Sequence, residues 1–77
     1  MKIKIKYFGQ LTEIIGKTED EISTKSENII DLKKDLIKLH PVLKEYTIQI
    51  AQNNKIIGEK DILNSSQIDI FPPFSGG

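Results

Sequence analysis

The chain has 77 residues, enough for one small domain and no more. Its eleven basic residues are all Lys, and they balance eleven Asp and Glu to a net charge of zero. Without Arg or a basic excess, the usual footprint of nucleic-acid binding is missing, and no nucleic-acid partner is expected. Cysteine is absent, so no disulfide or thiolate metal site supports the fold, and one hydrophobic core must do so. With no membrane-length apolar run and no secretory signal pattern, the expected location is cytoplasmic, with no membrane partner.

Met1 to Phe8 alternates cleanly. Met1, Ile3, Ile5 and Tyr7 point one way, and Lys2, Lys4, Lys6 and Phe8 the other, which predicts a half-buried strand. Gln10 to Ile15 carries Leu11, Ile14 and Ile15 at helical spacing and closes on Gly16, a short helix with a glycine stop. Thr18 to Thr24 reads as a more polar strand around Ile22. Asn28 to His40 is the clearest helix: Ile29, Leu32, Leu36 and Leu39 fall on one face with Ile37 beside them. Asn28 suits the N-cap, Asp31 the first turn, and Lys38 and His40 the negative end of the dipole, with Pro41 as the stop.

Tyr46 to Ala51 alternates again, with Tyr46, Ile48 and Ile50 on one side. Gln52-Asn53-Asn54-Lys55 predicts a turn, Ile56 and Ile57 a short strand ended by Gly58, and Gln67 to Phe71 a last strand with Ile68 and Ile70 inward. One amphipathic helix must cover one face of a mixed sheet. That order predicts an α+β, β-grasp (ubiquitin-like) domain over residues 1–71, its first and last strands parallel and adjacent in the middle of the sheet.

Phase then places two aromatics on the uncovered face. Phe8 lies on the lysine side of the first strand, and Phe71 on the Gln67 and Asp69 side of the last. Of Ile56 and Ile57, one must also face outward, because adjacent strand residues point to opposite sides. Exposed apolar residues beside a chain end read as a partner interface, unless a bulge tucks them back inside. His40 is accounted for by its place at a helix end. The run Glu19-Asp20-Glu21 lacks a cation-loop spacing and reads as a solvated face. No nucleophile, phosphate loop or metal-ligand set emerges, so a catalytic site within the chain is not expected.

The last seven residues, Phe71-Pro72-Pro73-Phe74-Ser75-Gly76-Gly77, are unusual. Two prolines favour an extended path away from the body. Gly76 and Gly77 lack a Cβ, so the final carboxylate can enter a narrow channel. Residues 72–77 thus read as a tail that presents the Gly77 carboxylate. A frayed end is the plainer alternative.

The segment Lys6-Tyr7-Phe8-Gly9-Gln10-Leu11, then Ile14-Ile15-Gly16, and the end Ile68 to Gly77 resemble the MoaD/ThiS family, its MoaD branch in particular. These are small sulfur-carrier subunits of molybdopterin synthase. The likeness covers essentially the whole chain, with most of its specificity at the two ends. It implies that a MoeB-type enzyme uses ATP to adenylate Gly77, and that a sulfur donor then yields a thiocarboxylate. It further implies that the loaded tail (Pro72, Pro73, Phe74, Ser75, Gly76) enters a MoaE-type large subunit, within a heterotetramer. There sulfur passes to precursor Z, and two transfers build the dithiolene. On this likeness Gly76 clears the channel, Phe8 and Phe71 match the family's hydrophobic contact surface, and Ile56 or Ile57 is a third contact. The carrier itself holds no cofactor or metal and is a co-substrate, not a catalyst. Phe74 is larger than the small aliphatic residue common at its position, and the Gln52-Asn53-Asn54 turn also departs from the pattern. The rivals are a ThiS-type carrier for thiazole synthesis, a ubiquitin-like modifier joined through Gly77, and an interaction domain without covalent chemistry.

Overall fold

Alternation sets the first strand, β1 (Lys2–Tyr7), and its phase is the expected one: Ile3, Ile5 and Tyr7 are buried while Lys2 and Lys4 are exposed. The computed structural model describes residues 1–72. After β1 come the short helix α1 (Leu11–Ile15), β2 (Glu19–Ser23), the long helix α2 (Ile29–Leu39), a 3-10 turn (Pro41–Glu45), β3 (Gln49–Gln52), β4 (Lys55–Ile57) and β5 (Gln67–Phe71). The five strands form one sheet in the order β2-β1-β5-β3-β4. The pair β1 and β5 is parallel and central, while β1 with β2, β3 with β4, and β3 with β5 are antiparallel. This is the β-grasp arrangement that the element order predicts.

The core joins Ile3, Ile5, Leu11, Ile29, Leu32, Leu36, Leu43, Ile68 and Ile70, each almost fully buried, and so packs α2 onto one sheet face. Helix α2 starts where expected. Asn28 is extended, and its Oδ1 accepts from the Asp31 N–H at 3.0 Å. Two further first-turn amides, those of Ile29 and Ile30, donate to the carbonyls of Asp61 and Glu59, so the loop before β5 caps the helix as well. Helix α1 ends on Gly16 at φ +88°, a left-handed stop that glycine adopts without a steric penalty. Asn53 and Asn54, at φ +54° and +66°, form the two-residue turn between β3 and β4, a conformation that Asn tolerates better than most residues.

Several expectations are corrected. Pro41 ends α2 but also opens the 3-10 turn, which drives Leu43 into the core. That turn consumes the residues before β3, so Tyr46 closes the turn, exposed, instead of leading the strand. Leu39 is the last residue of α2 and is 45 % exposed instead of joining the buried apolar face. Gln52 belongs to β3 and is buried. Its side-chain amide donates to the Ile62 carbonyl (2.9 Å) and accepts from the Asn64 N–H (2.8 Å), tying the polar loop to the sheet. Among the described residues, no helix is long and apolar enough to cross a membrane.

Candidate functional site

The parallel register of β1 and β5 pairs Tyr7 with Ile70, both buried on the helix side. One residue further along each strand, Phe8 and Phe71 therefore emerge together on the open face. The Phe8 N–H donates to the Ile70 carbonyl at 3.0 Å, extending the ladder by one step. The two rings stack with centroids 4.8 Å apart and planes 15° from parallel, a contact that holds them as one unit. Phe8 remains 38 % exposed and Phe71 is half-buried. No bulge returns either ring to the core.

The choice between Ile56 and Ile57 is also settled in position. Ile56 pairs with Ala51 on the open face and is 56 % exposed, whereas Ile57 pairs with Ile50 and packs against the core. Ala51 in turn sits opposite Asp69, and Gln49 opposite Phe71. The open face thus carries exposed apolar side chains at Phe8 and Ile56, with half-buried Phe71, buried Ala51 and the polar Gln49 and Asp69 between them. On its β1 and β2 flank, Lys2 and Lys4 reach Glu21 and Glu19 at 3.8 Å. Such exposed pairs add solubility and little stability.

The chain leaves this face at Pro72, whose ring lies over Gly9. Pro73, Phe74, Ser75, Gly76 and Gly77 lie outside the described residues, and with them most of the expected tail and the expected reactive end.

A second group of polar residues gathers on the opposite, helix-covered face. Asp20 is in phase with Ile22 and turns inward, unlike Glu19 and Glu21, so the acidic run is not a uniform solvated edge. Its Oδ2 accepts from the Tyr7 hydroxyl (2.7 Å) and lies 2.7 Å from His40 Nε2, while Oδ1 accepts from Lys17 Nζ (2.8 Å). The His40 ring also meets Tyr7 edge-on, centroids 5.8 Å apart. Burial pushes the Asp20 carboxyl up, but hydrogen bonds from His40, Lys17 and Tyr7, with the charge of Lys17, outweigh it and hold the pKa at about 2. Burial, then the hydrogen bond and charge of Asp20, push the Tyr7 phenol above its ordinary range. An ionised carboxylate can only accept, so His40 Nε2 carries the proton that faces it. The cluster braces β2 against the end of α2. His40 therefore does more than terminate a helix, and Asp20 is the residue that the sequence reading missed. Its signal was phase: it alternates with Ile22, as Tyr7 does with Ile5.

Comparison with known proteins agrees with this architecture. The model of the ThiS family matches residues 5–77. A molybdopterin synthase sulfur carrier subunit from Caenorhabditis elegans is 25 % identical over 83 aligned positions, covering 100 % of this chain and 99 % of the relative. Among solved structures, a putative molybdopterin converting factor subunit 1 from Pyrococcus furiosus superposes with a TM-score of 0.82 at 26 % identity, covering 95 % of this chain and 98 % of that one. The small archaeal modifier protein 1 from Methanosarcina acetivorans gives 0.77 at 30 % identity, covering 99 % and 96 %.

Proposed function

Because the chain belongs to the ThiS family, we propose that it is a sulfur carrier serving as the small subunit of a molybdopterin synthase. In this reading residues 1–71 are the docking domain and 72–77 the tail. The Gly77 carboxylate is the reactive group, with Pro72, Pro73, Phe74, Ser75 and Gly76 inserted into the partner. The observation that carries the reading is the stacked Phe8–Phe71 pair on the open face, Phe8 exposed and Phe71 half-buried, at the root of that tail. It supplies an apolar anchor of the kind that centres a protein interface, immediately before the segment that must be delivered.

The chemistry suits the end group. A carboxylate is a poor electrophile. Attack of its oxygen on the α-phosphorus of ATP releases pyrophosphate and gives an acyl-adenylate. Sulfide, as HS⁻, then attacks the acyl carbon, the bond to AMP breaks and the sulfur loses its proton, leaving a thiocarboxylate and free AMP. The carrier is consumed and reloaded, so it acts as a co-substrate, and ATP belongs to the MoeB-type activating enzyme. A MoaE-type large subunit, with precursor Z bound, would receive the sulfur in a cytoplasmic heterotetramer.

Incubation with ATP, a sulfur source and a MoeB-type enzyme, followed by intact-mass analysis, is expected to show one oxygen-to-sulfur exchange located at Gly77. No exchange with an enzyme active on its own carrier would overturn the reading. A second reading, a ubiquitin-like modifier, draws on the likeness to the Methanosarcina modifier protein. It predicts lysine-linked conjugates of higher mass that vanish when Gly77 is deleted. A thiazole-pathway carrier would instead bind a thiazole synthase in pull-down.

Docking through the aromatic pair gives a separate expectation. Phe71→Ala should weaken binding of the MoaE-type subunit by about 2 kcal/mol, measured by calorimetry. Its thermal midpoint should change little, since Phe71 is only half-buried. Unchanged affinity with a destabilised fold would assign Phe71 to the core instead.

A further inference from the structure

We infer that Gly9 is a positioning residue for the tail, seating Pro72 and so fixing the base from which the terminal residues reach the activating enzyme. The inference rests on the carrier reading. Gly9 has φ +58°, and a Cβ built on it would lie 3.1 Å from Pro72 Cγ and 3.4 Å from Cδ, tighter than side chains ordinarily pack. The turn that holds Gly9 has little room to give way. The Phe8 N–H is bonded to the Ile70 carbonyl, the Phe8 carbonyl accepts from the Leu11 N–H, and the Gly9 carbonyl accepts from both the Thr12 N–H and its hydroxyl (2.9 Å). With the turn pinned to β5 on one side and to α1 on the other, Pro72 is the group that must move. Two separate requirements thus meet at one position. The positive φ alone would admit Asn, but a Cβ there crowds Pro72, which must then give way by a few tenths of an ångström.

The molecule contains its own control. Gly16 also has positive φ, +88°, and nothing lies within 4 Å of a Cβ placed there. Gly16→Ala therefore introduces backbone strain without a contact, and Gly9→Asn introduces the contact with little strain. Loading is followed as kcat/KM of the MoeB-type enzyme for the full-length carrier, below the thermal midpoint of each variant. Gly9→Asn is expected to lower it about tenfold, because small misplacements of a reacting group are costly in rate. Gly16→Ala is expected to lower the thermal midpoint and to load as the wild type does. Nuclear Overhauser contacts between Gly9 Hα and the Pro72 ring should be present in the wild type and weakened in Gly9→Asn.

Wild-type loading by Gly9→Asn, or equal loss in Gly16→Ala, would overturn the inference and leave Gly9 a turn residue only. Absence of the Gly9–Pro72 contact in the wild type would do the same, whatever the loading rates. Failure of the wild-type chain itself to load strikes the carrier reading, and the contact measurement then still decides whether Gly9 seats Pro72.

Discussion

Deleting Gly76 and Gly77 is expected to abolish sulfur loading and to leave the thermal midpoint unchanged. The two halves of this expectation have separate causes. Among the described residues, the buried core members all lie between Ile3 and Ile70, and on the proposed reading the last two residues serve delivery and not packing. On the proposed carrier reading, the chemistry depends on bringing one carboxylate to the α-phosphate of ATP inside another protein's site. Ending the chain at Ser75 withdraws that carboxylate by two residues and places a Cβ and a hydroxyl beside it. A loss of at least about a hundredfold in loading is expected, since reaction geometry contributes several kcal/mol to such steps. Gly76→Val separates reach from width. It keeps the length but adds a branched side chain, and it should block loading as completely if the channel is narrow. Intact-mass analysis and thermal melts of the three proteins check all of this. Full loading of the truncated chain would show that the Gly-Gly end is not required for the chemistry, whereas no loading of any of the three proteins with partner binding left intact by the truncation would favour an interaction domain without covalent chemistry. A midpoint several degrees lower would mean that the tail belongs to the fold.

How far the sequence could be read depended on how local the cause was. Period-two alternation in Lys2 to Tyr7 and Gln67 to Phe71 determines which residues are buried, and phase alone puts Phe8 and Phe71 on the open face. Asn28 and Gly16 were legible because a cap is a contact within one helical turn. The segment after Pro41 is ambiguous in sequence because proline both ends a helix and suits the first position of another turn. Leu43 and Tyr46 exchange roles according to which of these prevails. Gln52 looked like turn chemistry, and its burial depends on Ile62 and Asn64, loop residues whose approach no periodicity announces. The contact of Gly9 with Pro72 is harder still. It joins opposite ends of the chain and becomes visible only once β1 and β5 lie side by side. The family resemblance rested on those two ends, and the ThiS family match spans both of them.

The cluster around Asp20 carries the largest expected effect on stability. Asp20→Ala should destabilise the fold by about 3 kcal/mol, since removing one partner of a buried ionic group strands the others. For a domain of this size that lowers the thermal midpoint by roughly 15 °C. The side chain is only 11 % exposed, so water cannot readily replace it. Both the Tyr7 hydroxyl and His40 Nε2 would lose their acceptor. The effect should depend on pH in a defined direction. The carboxyl titrates at about 2 in the fold against an ordinary 3.8, so the folded state favours the ionised form. Its contribution is therefore fully present above pH ~4 and is lost as pH falls towards ~2, a change of about 2 kcal/mol. Tyr7 acts with the opposite sign at the alkaline end. Its phenol is raised in the fold, so its contribution is complete below pH ~10 and declines above it. Urea melts of the wild type and of Asp20→Asn from pH 2 to 8 test the acid limb. The stability gap between them should be constant near neutrality and close on acidification, and a gap independent of pH would mean that Asp20 acts through packing and not through its charge. Because the cluster lies on the helix-covered face, away from Phe8 and Phe71, both Asp20 variants should load sulfur normally when assayed well below their midpoints. Stability and carrier chemistry would then be separable in one small chain, the first governed by the covered face of the sheet and the second by the open one.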